Sequence, residues 1–128
     1  MTVHIHYSLY AHITWHTWER RGCLKLKWLP DFVEAMRDAA DRASLHVLRF
    51  AVLTDHVHIL ASFRPETRIS EFVRLVKAIS ARRINQQSDG ALKWARGFHA
   101  SSVGEPDVSA VGRYIARQDE RHPFSVLK

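Results

Sequence analysis

The stretch Thr54-Asp55-His56-Val57-His58-Ile59-Leu60 places two histidines on either side of one apolar residue, directly after an aspartate that suits a tight turn. Side chains alternate between the two faces of a β-strand, so His56 and His58 share one face and their apolar neighbours share the other. Two imidazoles about 7 Å apart along a strand can converge on one metal ion. A solvated strand face that happens to carry histidines gives the same pattern, and spacing alone leaves both interpretations open.

Histidine pairs are not rare in this chain. The sequence contains nine histidines, and His4-Ile5-His6 repeats the same spacing. Residues 3–15 alternate between apolar and polar side chains throughout, which predicts a long half-buried strand with a polar second face. That polar face could contact solvent or a ligand, and the sequence does not decide between them.

The remaining pattern predicts alternating helices and strands. Pro30-Asp31 favours a helix start, and that helix should end at Ser44. The other predicted elements are strands 45–53 and 56–63 as a tight hairpin, a helix over 69–86, short strands at 92–94 and 98–103, a last helix over 107–118 and a loose tail at 121–128.

This order of elements predicts one fold class. Strand, helix, strand, strand, helix, strand or hairpin, helix is typical of an α+β sandwich of ferredoxin-like type. Its antiparallel sheet would carry helices mainly on one face, which leaves the other face for a site. A single domain over residues 1–128 is expected from the length and from the lack of a linker or repeat.

Charge indicates the class of partner. The chain has 19 Lys and Arg against 13 Asp and Glu, for a net charge of +6. This balance favours a polyanion, most often nucleic acid, although a merely basic soluble surface would look the same.

The single Cys23 excludes an intrachain disulfide and a cysteine-based zinc site. No apolar run approaches the roughly 20 residues of a membrane span, so we expect a cytoplasmic protein without a membrane partner.

Tyr114 and Gln118 stand four residues apart in the last predicted helix and should share one of its faces. A tyrosine with its free pKa of about 10 is a poor nucleophile unless a metal or a base helps. A carboxamide oxygen is a reasonable third ligand for Mg²⁺ or Mn²⁺ beside two imidazoles. A tyrosine packed in the core with a surface glutamine is the plainer interpretation.

Taken in order along the chain, these features resemble the single-tyrosine HUH transposases, which include the TnpA-like enzymes of small bacterial insertion sequences and the REP-associated tyrosine transposases. The resemblance favours His56 and His58 over His4 and His6 as the functional pair. The matching pieces are Trp15-His16-Thr17 with Arg20, Asp55-His56-Val57-His58-Ile59-Leu60, Ile69-Ser70, Val76-Lys77-Ala78-Ile79-Ser80-Ala81-Arg82, Trp94 with Gly97-Phe98, Ser102-Val103-Gly104 and Tyr114-Ile115-Ala116-Arg117-Gln118.

The resemblance implies a function and its residues. His56, His58 and Gln118 would bind Mg²⁺ or Mn²⁺, which would polarise a scissile phosphate in single-stranded DNA. Tyr114 would attack that phosphorus, form a 5′-phosphotyrosine link and release a 3′-hydroxyl, and a different 3′-hydroxyl would rejoin the strands. Such enzymes recognise DNA hairpins and work as homodimers, and the candidate DNA-binding residues here are Arg20, Arg21, Lys77, Arg82 and Arg83.

Some features depart from the family pattern, and two other functions stay open. Arg117 stands where the family often has Asn, and Thr54 where it often has Pro. A domesticated hairpin-DNA-binding protein of the same fold would lack strand transfer, and a phosphodiesterase would use water in place of the tyrosine. Gly104 and Gly112 could let the last helix move, or Gly112 could mark close packing.

Overall fold

The structure is a computed structural model that describes residues 6–118. It contains one antiparallel sheet with helices on both faces. The elements are β1 (Leu9–His16), α1 (Leu29–Ala43), β2 (Leu45–Val52), β3 (His56–Phe63), α2 (Ile69–Asn85), β4 (His99–Val103) and α3 (Val108–Ala116). This is the predicted α+β sandwich, with the predicted hairpin between β2 and β3.

The strands lie in the order β2-β3-β1-β4, so β3 and β1 form the centre of the sheet. Their antiparallel register places Thr14 opposite His58 and His16 opposite His56. On the neighbouring side, Thr14 also lies opposite His99 of β4. The polar side chains of three adjacent strands therefore meet on one face.

The opposite face carries the main core. Val57, Ile59 and Ala61 of β3 are buried there, as the alternating pattern predicts. The helices α1 and α2 pack over this face, and their apolar stripes complete the core with the side chains of Phe32, Met36, Phe72, Val73 and Val76. Burying each large apolar side chain favours folding by about 1.5–3 kcal/mol, so this layer fixes which face of β3 points inward.

Helix α3 lies on the histidine face of the sheet. Ile115 of α3 packs with Leu60 of β3 and Val103 of β4 in a separate buried cluster. Two helices thus cover one face and α3 covers part of the other, which agrees with the predicted separate helix carrying Tyr114.

The first strand is shorter than the predicted strand over 3–15. It begins at Leu9, which pairs with Phe63, and residues 6–8 are not in a strand. Strand β3 ends at Phe63 and Arg64-Pro65 follows, so residues 6–8 lie beyond the end of the β1–β3 ladder. Residues 3–5 of the predicted strand and the predicted tail over 121–128 lie outside the described residues.

The predicted strand over 92–94 was wrong. Only Trp94 pairs, in a single bridge with Thr17. The side chain of Asn85 takes both backbone groups of Leu92: its Oδ1 accepts from the Leu92 N–H and its Nδ2 donates to the Leu92 carbonyl, both at 2.8 Å. Backbone groups that are satisfied by a side chain are not available to a sheet.

The last helix also has different ends. Residues 105–107 form a 3₁₀ turn before α3 begins at Val108, and α3 ends at Ala116. Gln118 therefore follows the helix that carries Tyr114. No helix among residues 6–118 is both long enough and apolar enough to cross a membrane.

Gly112→Ala tests how closely α3 packs on the sheet. The added methyl group would lie 3.6 Å from Arg49 Cγ and 3.9 Å from Leu60 Cδ2, which is ordinary contact. Because alanine favours a helix interior over glycine, we expect Gly112→Ala to raise the free energy of unfolding, measured by urea denaturation, by about 0.5–1 kcal/mol. Gly97→Ala serves as the comparison. It should lower the free energy of unfolding by about 1 kcal/mol, because Gly97 has φ +82°, a left-handed backbone conformation that is costly for alanine. A destabilised Gly112→Ala variant would mean that α3 lies closer to β2 and β3 than in this structure.

Candidate functional site

The two histidines of β3 lie side by side on the face that α3 partly covers. Their ring centroids are 5.0 Å apart. His58 is 8% exposed and His56 is half-buried at the end of the strand. The structure thus brings together the pair that the sequence predicted to share a face.

Asp55 orients His56. Its carboxylate Oδ1 lies 2.6 Å from His56 Nδ1. The backbone carbonyl of Asp55 accepts hydrogen bonds from the N–H of buried Thr17 at 2.8 Å and from its hydroxyl at 3.2 Å, so the turn is held to the end of β1. Occupying Nδ1 in this way makes Nε2 the nitrogen of His56 that could coordinate an ion.

His12 has the corresponding position beside His58. His12 Nε2 and His58 Nδ1 share a hydrogen bond of 3.0 Å. Burial, and then the nearby charge of His99, lower the pKa of His12. A neutral His12 can accept the Nδ1 proton of His58, and Nε2 would then be the nitrogen of His58 that could coordinate an ion.

Tyr114 reaches this group from α3 of the same chain. Its ring centroid is 6.0 Å from that of His58 and 6.0 Å from that of His12, in edge-on geometry in both cases. The cluster of Leu60, Val103 and Ile115 holds the helix in this place. The ring of Tyr114 therefore lies next to the histidines and only partly in the apolar cluster.

Gln118 is buried just after α3, with 1% of its surface exposed. Its Nε2 donates to the Tyr114 carbonyl at 2.9 Å, while its Oε1 has no hydrogen-bond partner among residues 6–118. The buried side chain of Gln118 differs from the surface position of the plainer interpretation. Residues 6–118 contain no group of three or more His, Cys, Asp or Glu side chains arranged to hold a metal.

A cavity of about 620 Å³ opens beside the histidines. Its lining includes His56, His58, Arg20, Arg96, Phe98 and His99. Arg20 belongs to a tight turn in which Glu19 and Arg20 have φ +53° and +52°. Consecutive left-handed residues other than glycine are strained, and such strain clusters at functional sites.

The other predicted DNA-binding residues lie in different surroundings. Arg21 is exposed and forms an ion pair with Glu19 at 3.5 Å. Arg83 donates to Glu34 of α1 at 2.7 Å, and Arg82 is exposed on α2. Since α2 covers the opposite face of the sheet, the structure does not bring Arg82 or Arg83 to the cavity.

Lys77 reaches from α2 to the segment before β4. Its Nζ donates to the carbonyls of Ala95 at 2.9 Å and Gly97 at 2.6 Å. Burial lowers the pKa of Lys77. The ammonium thus holds the segment that carries Arg96 and Phe98.

Sequence reasoning missed several residues that contact the histidine pair or line the cavity. The alternation in β1 placed His12 on the polar face, but only the register against β3 shows that it meets His58. Asp55 was interpreted as a turn residue, although its position next to His56 was a usable signal. Arg96 lies in a segment that is neither helix nor strand, and Phe98 was predicted only as the first residue of a strand over 98–103, whereas β4 begins at His99.

Comparison with known proteins gives the family. The family model described as "Transposase IS200 like" matches residues 5–118. The chain belongs to the IS200-like transposase family. The predicted HUH tyrosine transposase family is thereby confirmed, and with it the general class of DNA transposition enzymes.

Similar proteins support the same assignment. The chain is 28% identical over 122 residues to the ISDra2 transposase TnpA of Deinococcus radiodurans, covering 90% of this chain and 87% of that protein. It also resembles the crystal structure of a candidate transposase from Deinococcus radiodurans R1, with a TM-score of 0.68, 26% identity and coverage of 92% of this chain and 96% of the other.

A second solved structure supports the fold. It is a REP-associated tyrosine transposase bound to a REP hairpin, with a TM-score of 0.75 and 16% identity over 95% of this chain and 74% of the other. The predicted ferredoxin-like architecture is confirmed by this likeness.

Lys77→Met tests whether the ammonium holds the segment before β4. We expect faster amide hydrogen exchange over residues 94–98. The free energy of unfolding should fall by about 1 kcal/mol, because the substitution removes two charge-assisted hydrogen bonds in a partly solvated position. Arg74→Met is the matched control on the same helix, because Arg74 is exposed and forms an ion pair with Glu71 of its own helix at 2.5 Å. Unchanged exchange over 94–98 in Lys77→Met would contradict the contact.

Proposed function

We propose that this chain is a DNA transposase that cuts and rejoins single-stranded DNA at hairpin-marked ends through a covalent 5′-phosphotyrosine link at Tyr114. The observation that carries the proposal is the position of the Tyr114 ring, 6.0 Å between centroids from His58. A candidate nucleophile and two imidazoles that could hold a cation thus lie on the same face of the sheet, and all three belong to one chain. Membership of the IS200-like family supports the reaction class.

The donor set fits a divalent ion, proposed to be Mg²⁺ or Mn²⁺. His56 and His58 each have Nδ1 engaged by a neighbour, which is the usual arrangement of imidazoles that coordinate through Nε2. The buried Oε1 of Gln118 is an amide oxygen of the kind such ions accept. When bound, the ion would supply polarisation of the scissile phosphate and neutralisation of its charge.

The proposed chemistry of Tyr114 is an exchange of one phosphate ester for another. The phenolic oxygen bonds to phosphorus and gives up its proton, while the bond from phosphorus to the 3′-oxygen breaks and that oxygen takes up a proton. Attack of a second 3′-hydroxyl on the phosphotyrosine reverses these changes and restores a continuous strand. Because the link conserves the ester bond, no external energy source is needed.

The surrounding charge suits a polyanionic substrate. Arg20 lines the cavity beside His56 and would contact phosphates there. Arg21 is exposed on the same turn, and the net charge of +6 favours DNA over the whole surface. Contacts of Lys77, Arg82 and Arg83 with DNA, and the homodimer, stay predictions.

Tyr114→Phe tests the nucleophile. With Mg²⁺ or Mn²⁺ and a hairpin oligonucleotide with single-stranded flanks taken from DNA beside the gene, the wild-type protein should form an adduct that survives a denaturing gel, and the Phe variant should form none. Tyr10→Phe is the matched control, because Tyr10 packs against the same cluster of Leu60, Val103 and Ile115.

The outcomes of this assay separate the alternatives. Cleavage that survives Tyr114→Phe but is lost in His56→Ala would indicate a phosphodiesterase that uses water. Hairpin binding with steep salt dependence and no adduct under either metal would indicate a domesticated DNA-binding protein.

Asp55→Asn tests the metal site without using catalysis. An amide is a weaker acceptor for His56 Nδ1, so we expect calorimetry to show Mn²⁺ affinity falling by about 10- to 100-fold. The backbone carbonyl that holds the turn is retained in this variant. Asp38→Asn, which changes a carboxylate of α1 paired with Arg42, should leave Mn²⁺ affinity unchanged. Equal affinities of wild type and Asp55→Asn would show that His56 is not a ligand oriented by Asp55.

A further inference from the structure

We propose that Phe98 is a stacking platform for one unpaired DNA base beside the scissile phosphate, and that Arg20 and Arg96 contact the phosphates that flank this base. The inference rests on the proposed function, because it describes how the same cavity would hold its substrate. It assigns base binding to a residue of the segment between α2 and β4.

Phe98 is an aromatic side chain on a polar wall. It is 41% exposed and lines the cavity together with His56, His58 and His99. Its ring has no ring–ring or cation–π partner among residues 6–118. By contrast, the exposed ring of Trp18 is already covered by the Lys93 ammonium, 4.1 Å from its centroid. Trp15, which also lines the cavity, is buried and packs edge-on against Trp94, with 6.0 Å between the ring centroids. Apart from the histidines, Phe98 is therefore the exposed aromatic side chain of the cavity lining.

The segment that carries Phe98 is held from two sides. Lys77 donates to the carbonyls of Ala95 and Gly97, and Trp94 Nε1 donates to Ser80 Oγ at 3.0 Å. On the other side, the Ala95 N–H donates to the His16 carbonyl at 3.0 Å. An aromatic ring on a fixed backbone loses little conformational entropy when a base stacks on it.

Two cations face the same cavity. Arg20 and Arg96 are exposed, line the cavity and form no ion pair within the described part of the chain. Each guanidinium can donate two parallel hydrogen bonds to a phosphate. Arg20 is also placed by a strained turn, with φ +52°. The turn thus directs a cation to the cavity at a cost in backbone energy.

The volume of the cavity suits a nucleotide beside the catalytic groups. Sites for small ligands span about 300–1,000 Å³, and this cavity measures about 620 Å³. The histidine pair, Arg96 and Phe98 all line this cavity. A phosphate at the histidines would place the adjoining base within the same cavity. Stacking accepts any base, so the platform positions the strand and does not read its sequence.

Phe98→Ala measures the platform by binding. The probe is a DNA hairpin with short oligothymidine flanks on both sides, and fluorescence anisotropy in EDTA follows binding without cleavage. We expect Phe98→Ala to weaken binding by about 10-fold or more, while Phe98→Trp binds like wild type. Phe50→Ala is the matched control, because Phe50 is 39% exposed on β2 and does not line the cavity. Wild-type affinity in Phe98→Ala, or a wild-type protein that binds no probe, overturns the platform.

An abasic scan locates the contact. One flank position that lacks its base should weaken wild-type binding by about 10-fold and should have no further effect in Phe98→Ala. Abasic losses that are the same in both proteins overturn the contact. Adduct formation is measured separately. Phe98-dependent binding without an adduct would support the stacking platform and contradict strand transfer. An adduct without Phe98-dependent binding would support strand transfer and contradict the platform.

Discussion

The antiparallel register between β1 and β3 is the constraint on which the rest of the site depends. It sets His16 opposite His56 and Thr14 opposite His58, while Ile13, Val57 and Ile59 turn into the core under α1 and α2. A slip by one residue would bury the imidazoles and expose the apolar set, at about 1.5–3 kcal/mol for each large side chain moved into water. The apolar face of the sheet therefore fixes the geometry of the polar face.

A second set of contacts orients what the register places. Asp55 engages Nδ1 of His56, His12 engages Nδ1 of His58, and Thr17 holds the backbone of Asp55. Both imidazoles thereby have their Nδ1 engaged by a neighbouring side chain, which fixes the orientation of each ring. Such partners raise the basicity of a ligand and reduce the entropy lost on binding, so they matter to a metal site nearly as much as the ligands do.

Periodic features could be predicted from the sequence, and features that depend on distant partners could not. Alternation identified β3 and its two faces, and helical spacing identified α1 and α2, because these patterns are local. The start of β1 depends on a distant residue, because Leu9 pairs with Phe63 at the end of β3. The predicted strand at Leu92 does not form because the side chain of Asn85 occupies the backbone groups of Leu92. Arg96 and Phe98 reach the cavity only because Lys77 and His16 fix their segment, and neither contact leaves a pattern in the residues themselves.

Lys77 shows why a basic residue cannot be given a role from charge alone. Its helical position among Arg74, Arg82 and Arg83 is that of a phosphate-contacting side chain, and the sequence makes no distinction between them. In the fold α2 lies on the face of the sheet opposite the histidines, and Lys77 is directed to the segment before β4, where the carbonyls of Ala95 and Gly97 receive its ammonium. A phosphate would have to displace these carbonyls from a partly buried cation. The positive charge of Lys77, which in the sequence favours contact with DNA, thus holds the segment that carries Arg96 and Phe98.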